Sequence, residues 1–431
     1  MKKNILIEAI NYLTIAFATL PLFSHIISVT FGGIVYVAIA YSLALAAFIF
    51  NYKVTKREER FAFYGLLFFF LFFIIYAIGT QIHKEQFRTL SVFVFTWTVG
   101  FNNFVMSLPL YIGVYAVFYK SQDEARKKYF RFFFICLLYT MVITFIALLK
   151  DPEYIKSETA AVETSSMKIY AMLGAGSFGL IYSLSIIIPF LFYLFRKTKK
   201  IGFLLICILG CVEIVVSGFM IATIVLCINI FLCLIFGIKN KIARRVTVLT
   251  FLSVVIFFLF NLQIIGEFAL FLSKHIDITN IRRRLSQIAN VLLYKDYSGD
   301  AVSGRIAEYK KSFEGIQAHP FLGNVAIDDS FVESGHSTIM DAWAGFGIVV
   351  VLFLCISFFI FAIGPAKSEK QIHVKNLIYV MAFCFFLVAL FNPILASPEI
   401  LINLLIVLNL FVFYKRNMFF EDSSAKLNIK E

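Results

Sequence analysis

Residues 201–237 read IGFLLICILGCVEIVVSGFMIATIVLCINIFLCLIFG, a stretch in which Glu213 is the sole charged side chain. A helix needs about 20 apolar residues to cross the hydrocarbon core of a bilayer. This run is too long for one crossing and too apolar to face water. Ser217-Gly218 is therefore predicted to form a tight turn between two spans, 201–217 and 219–237.

Outward from there the same character continues. Of 431 residues, 61% are hydrophobic, 17% aromatic and 15% charged. Soluble domains carry about 25% charged residues, so a soluble globular protein is excluded, as are disordered, collagen-like and disulfide-rich chains. The formal charge of +13 is also the footprint of a nucleic-acid binder. That reading needs a basic patch on a water-facing domain, and most of this chain reads as lipid-facing, so no nucleic-acid partner is expected. The expected class is an all-α polytopic membrane protein with about 12 transmembrane helices and one large extracytoplasmic helical loop. Twelve apolar segments qualify: 5–22, 30–50, 61–80, 93–118, 132–149, 171–195, 201–217, 219–237, 246–265, 337–362, 376–395 and 400–414. Met1-Lys2-Lys3 before the first could open a signal peptide, but the charge balance favours a retained span. The seven cysteines lie in apolar runs, so no disulfide framework is expected.

The basic residues set the expected orientation. With the N-terminus inside, 26 of the 39 Lys and Arg fall in inner segments and five in short outer ones. The remaining eight lie in the long segment 266–335, which carries little weight because long loops translocate regardless of charge. Both termini are expected in the cytoplasm, in the cytoplasmic (inner) membrane. The chain then divides into spans 1–9 (1–265), the loop (266–335), spans 10–12 (336–414) and a cytoplasmic tail (415–431).

The loop carries two helical patterns. Ile281, Leu285, Ile288, Leu292 and Leu293 recur at helical spacing beneath the run Arg282-Arg283-Arg284, and a second helix is predicted from Ser303 to before Pro320. Both read as amphipathic helices that lie on the membrane surface or cap a cavity.

The least generic stretch runs Ser303-Gly304-Arg305, the amphipathic helix, His319-Pro320-Phe321-Leu322-Gly323, then His336-Ser337, Asp341 and Gly345-Phe346-Gly347. This order resembles the outer loop of the O-antigen ligase/polymerase superfamily (Wzy and WaaL type), with an SGR, an HP-x-x-G turn and a His at the mouth of the next span. The resemblance implies a GT-C-like glycosyltransferase. The donor would be a glycan on polyprenyl (undecaprenyl) diphosphate, transferred to an acceptor hydroxyl on the outer side of the membrane. By the same resemblance Arg305 engages the diphosphate and His336 assists the hydroxyl; a chain-length regulator and a flippase are plausible partners.

Elementary chemistry supports these roles. A leaving diphosphate gains negative charge, and a guanidinium fork binds phosphate oxygens bidentately. An imidazole with its ordinary pKa near 6.5 is a competent base at neutral pH. The blander readings are that Arg305 pairs with Glu308 or lipid phosphate, that Arg282, Arg283 and Arg284 form a solvated or headgroup-binding face, and that His336 reaches only water. His319 is expected to shape its turn. Asp341 and Glu213 are ionisable residues near span ends, either site residues or local hydrogen-bonders; Glu213 could orient a loop arginine. Many members of the family carry an Ser-Arg pair where this chain has Ser217-Gly218-Phe219. Either an arginine from 282–284 supplies that charge or the donor is held differently. No Walker loop, GxGxxG, HExxH or outer Asp-x-Asp occurs, so no cofactor and metal-independent catalysis are expected.

A polymerase extending O-antigen, capsule or exopolysaccharide is the favoured reading. A ligase passing finished glycan to lipid A-core is the close alternative, and a lipid-linked oligosaccharide flippase or transporter is the third.

Overall fold

A computed structural model describes residues 2–23, 33–51, 123–155, 172–237, 241–276, 279–294, 302–324, 336–368 and 372–394, with scattered positions between. The described residues are helices and their connections, without strands. In chain order the helices are α1 (Lys2–Phe23), α2 (Gly33–Asn51), α3 (Asp123–Lys150), α4 (Phe178–Thr198), α5 (Ile201–Ser217), α6 (Met220–Gly237), α7 (Lys241–Phe260), α8 (Leu262–His275), α9 (Thr279–Tyr294), α10 (Val302–Ala318), α11 (Thr338–Ser368) and α12 (Ile372–Phe391). The expected spans 93–118 and 400–414, most of 61–80, and the tail 415–431 lie outside the described residues.

Four segments are long and apolar enough to cross a membrane: Lys127–Lys150, Phe178–Arg196, Thr338–Ile360 and Val374–Phe391. Shorter apolar helices include Ile201–Ser217. Large apolar side chains such as Ile135, Leu205, Leu234 and Phe359 point outward, a surface that water would penalise and lipid accepts. Among the described residues the protein is all-helical, and these apolar helices mark it as a membrane protein.

α4 is the hub. Its spanning window is 78% buried, against 44–50% in the other three, and it touches α1, α5, α6 and α12. The hub contains Pro189, which has no N–H to give the carbonyl four residues back. In hydrocarbon an abandoned carbonyl must find another donor. Asn229 of α6 supplies it: its buried Nδ2 donates to Ser185 O at 3.0 Å and to Ile186 O at 3.1 Å.

The predicted turn at Ser217-Gly218 is present. Gly218 takes a left-handed conformation (φ 66, ψ 22) that closes α5, its N–H donating to Val215 O at 3.1 Å, and α6 starts at Met220.

Other boundaries differ from expectation. The segment 171–195 begins as α4 only at Phe178, capped by the Ser177 hydroxyl accepting from Gly179 N–H. The segment 246–265 does not continue as one helix: α7 stops at Phe260, because Asn261 leaves helical geometry (φ −124, ψ 50) and its side-chain amide donates to Phe257 O at 2.7 Å. The division at 265/266 therefore falls inside α8, and the region between α7 and α11 holds three described helices instead of two. α8 packs on α9 through the buried small residues Gly266, Ala269 and Ser273. A Cβ at Gly266 would sit 2.7 Å from Leu293 Cγ, so a larger residue there would push the helices apart.

Replacing Asn229 by Leu is expected to lower the melting temperature of the detergent-solubilised protein, by roughly 1–2 kcal/mol for an interhelical polar contact in a membrane. In a Pro189→Ala background, where an N–H returns to Ser185 O, the same replacement is expected to cost clearly less.

Candidate functional site

The HP-x-x-G turn is where the loop meets the bundle. α10 ends at Ala318, and the turn closes with Gly323 N–H donating to His319 O at 2.9 Å. It docks on a break in α11, where Gly347 leaves helical geometry at φ 78, ψ 171. Ile348 N–H and Trp343 Nε1 both donate to Pro320 O, at 3.0 and 2.9 Å. Asn324 crosses the junction: its N–H donates to Ala344 O, and its amide to Gly315 O and Ala344 O at 2.7 Å each. A Cβ on Gly323 would lie 2.2 Å from Gly345 O, and one on Gly347 2.1 Å from Phe321 O. Backbone meets backbone here, and with φ near +78 at both positions only glycine fits. His319 thus serves the turn through its carbonyl.

Asp341 locks the other end of this contact. One carboxyl oxygen accepts from Ser312 Oγ of α10 at 2.5 Å, the other from Ser337 N–H at 3.0 Å. Ser337 caps α11, its hydroxyl oxygen accepting from Met340 N–H while its O–H donates to Leu390 O. This is a capping box with the acid one residue further along. Thr338 N–H donates to Asn392 O at 3.1 Å, and Tyr309 Oη of α10 to Phe391 O at 2.8 Å. Of the readings open for Asp341, the hydrogen-bonding one is found: it clamps α10 to the head of α11 next to α12.

Arg305 lies beside this clamp. It faces Tyr182 of α4 and Tyr309, and its charge acts on His336 and on Arg284. Glu308, its alternative partner, holds Lys311 at 2.8 Å. His336 is half-buried. Burial lowers its pKa below the ordinary 6.5, and the Arg305 charge lowers it further, against smaller opposing effects of Glu308 and Asp341. The ring is therefore neutral at pH 7 and able to take a proton. Burial also lowers the Arg284 pKa from its ordinary range, helped by the positive Arg283 and Arg305. Two arginines placed to repel one another, with a neutral imidazole nearby, form a site that favours an anion.

The remaining sequence candidates separate. Arg282 Nε donates to Ile276 O at 2.9 Å, which closes the link between α8 and α9. Arg283 pairs with Glu153 beyond the end of α3, at 3.3 Å. Arg284 bonds Gln287 at 2.9 Å and turns towards Arg305. Glu213 is fully buried in α5, and neither carboxyl oxygen has a hydrogen-bond partner among the described residues. No described arginine hydrogen-bonds it, and Gly210, one turn back on α5, meets Ile188 and Met141. Sequence reading missed Tyr182, Tyr309 and Asn392. Tyr309 carried only an apolar-face signal, and the other two lie in ordinary apolar runs. Among the described residues no group of His, Cys, Asp and Glu could hold a metal ion.

The described residues thus form a helical membrane protein in which Arg305, Arg284 and His336 gather near the head of α11. No family model and no curated protein sequence matches the chain.

Gly347→Ala and Gly323→Ala are each expected to undock the turn, read as faster hydrogen exchange at the Ile348 and Asn324 amides. The His336 ring should titrate below pH 6.5 in NMR of the histidine-labelled protein. Arg305→Gln should raise that midpoint part of the way back, since losing a neighbouring positive charge favours the imidazolium while burial, the larger cause, remains.

Proposed function

We propose that the protein is a polysaccharide polymerase of the O-antigen ligase/polymerase type, a twelve-span membrane glycosyltransferase that joins polyprenyl-diphosphate-linked repeat units. Its products would be O-antigen, capsular or exopolysaccharide. The observation that carries the reading is Arg305, on a loop helix clamped to the head of a span, with Arg284 of α9 and a neutral His336 both within reach of its charge. The membrane is the cytoplasmic one, both termini are cytoplasmic, and the junction faces outward; the excess of Lys and Arg in the short inner segments supports this sidedness.

In this reaction the acceptor hydroxyl oxygen attacks the anomeric carbon of the donor sugar. The bond from that carbon to the diphosphate oxygen breaks, and its electron pair leaves with the diphosphate. His336 takes the hydroxyl proton. Arg305 and Arg284 meet the charge that grows on the leaving oxygens, and charge fixed in advance there is commonly the largest catalytic term. Arg284 takes the part of the arginine that is absent at Ser217-Gly218-Phe219. Its position beside Arg305 favours it over Arg282 and Arg283, whose guanidinium groups are engaged elsewhere.

Arg305→Ala and His336→Ala are expected to abolish polymer in cells while the protein inserts normally, each lowering turnover by roughly 10²–10³ or more in vitro. Arg284→Ala should act like Arg305→Ala, and Arg282→Ala should leave turnover within a few-fold. Full-length surface polysaccharide from both the Arg305 and the His336 variants would rule the assignment out.

Glu213 favours a second reading, a lipid-linked oligosaccharide flippase, because a buried acid in a span is a common mark of transport. Cells lacking the protein separate the two. Single repeat units capped on lipid indicate the polymerase, polymer left on its carrier a ligase, and units trapped on the inner leaflet a flippase.

A further inference from the structure

Buried polar groups in folded proteins are almost always hydrogen-bonded, so a cluster of exceptions calls for an occupant. Among the described residues, Thr140, Tyr182, Glu213, Thr338 and Asn392 have buried side-chain polar atoms without a partner. Three of them, Tyr182, Thr338 and Asn392, come from distant parts of the chain and meet where α4, α11 and the end of α12 converge. Thr338 and Asn392 are joined main chain to main chain at 3.1 Å. The Tyr182 hydroxyl faces the Asn392 amide and Arg305, close enough to feel both and too far for a full hydrogen bond with either.

This arrangement is built rather than loose. The Tyr182 ring is fully buried, with Phe178 at 4.5 Å and Phe219 at 5.9 Å between ring centroids. Phe178 and Phe219 also meet each other edge-on at 5.5 Å. The ring cannot swing, so its hydroxyl is aimed. Asn392 is held through its carbonyl, which leaves its amide nitrogen unused.

We propose that Tyr182, Thr338 and Asn392 form a neutral subsite that holds the sugar attached to the diphosphate. The proposal rests on the reading of the junction as a glycosyltransferase site and adds the group that would grip the sugar. The chemistry divides the labour. Guanidinium groups suit phosphate oxygens, whereas tyrosine and threonine hydroxyls both donate and accept, as sugar hydroxyls do, and an amide nitrogen donates. Arg305 stands beside the subsite and Arg284 acts on Arg305, so a diphosphate on Arg305 leaves its sugar within reach of the neutral groups. Arg305 and Tyr309 of α10 lie against Tyr182, so a sugar whose diphosphate sits on Arg305 is adjacent to the three groups.

The test uses the full-length protein in lipid nanodiscs with two probes. One is undecaprenyl diphosphate without sugar; the other is the undecaprenyl-diphosphate-linked repeat unit extracted from cells lacking this protein. Tyr182→Phe, Thr338→Val and Asn392→Leu each remove the polar atom and keep the bulk. Each is expected to bind the repeat unit about tenfold more weakly, the size of one well-made hydrogen bond, and to bind the bare diphosphate within about twofold of wild type. Thr338→Val provides a near-isosteric control should either of the others fold poorly. Equal weakening for both probes would assign the three groups to phosphate and overturn the subsite, and unchanged binding of both would overturn it in favour of water. Wild-type protein that binds neither probe would overturn the glycosyltransferase reading itself, a result distinct from either.

Discussion

Two glycines in contact fix the turn after α10 against the break in α11. Gly323 closes the turn after α10, and Gly347 breaks α11; each occupies space that a single methyl group on the other segment's partner would need. Their approach lets Pro320 O accept from Ile348 N–H and Trp343 Nε1, and lets Asn324 bridge Gly315 and Ala344. With that contact made, α10 has one position over the head of α11. Asp341 then reaches Ser312, and Arg305 comes to face Tyr182 and His336. Without it, α10 would be tethered only by hydroxyl and carboxylate bonds that water at a membrane surface can replace.

Much of this was legible in the chain because it depends on local chemistry. Apolar runs long enough for a bilayer gave helices at 201–217 and 220–237 with a glycine turn between them. Helical spacing placed α9 and α10 to within two residues, and Pro320 marked the end of the second. The Arg305 and His336 pair was named from the order of its neighbours. What escaped depends on partners far along the chain. Asn261 looked like one polar residue in an apolar run, and its side-chain bond to Phe257 O is what ends α7. Gly347 read as part of a span opening, because nothing local tells a tolerated helical glycine from one at which another backbone arrives. Tyr182 and Asn392 matter through the atoms they leave unpaired, and a sequence does not display that.

The interior treats its polar groups in two ways. Pro189 frees a carbonyl in the most buried helix, and Asn229 answers it with a two-pronged bond from α6. Thr144 similarly gives its oxygen to Gly176 N–H while donating to Thr140 O. These are repairs, and they make the hub rigid. At the junction of α4, α11 and α12 no such repair is made, although serine, asparagine and carbonyl groups stand close by. Burial makes unpaired polar atoms expensive, so three of them together beside Arg305 set this junction apart from the repaired hub.

The run Arg282-Arg283-Arg284 shows why counting charges in a loop misleads. Successive residues on a helix are rotated by about 100°, so three adjacent arginines must face three directions. On α9 the first turns back to Ile276 O and fixes the link to α8. The second reaches across to Glu153 and ties α9 to the segment after α3. Only the third points to Arg305, and it does so half-buried, where burial and two like charges weigh against its own charge. Such a position is costly for a residue whose task is merely to be wet, since rotating outward would relieve both penalties. Gln287 holds it in place by accepting from Nη1 at 2.9 Å. A guanidinium kept where it is electrostatically least comfortable gains most when an anion arrives. Of the three arginines, Arg284 is therefore the one whose surroundings an approaching anion would relieve most.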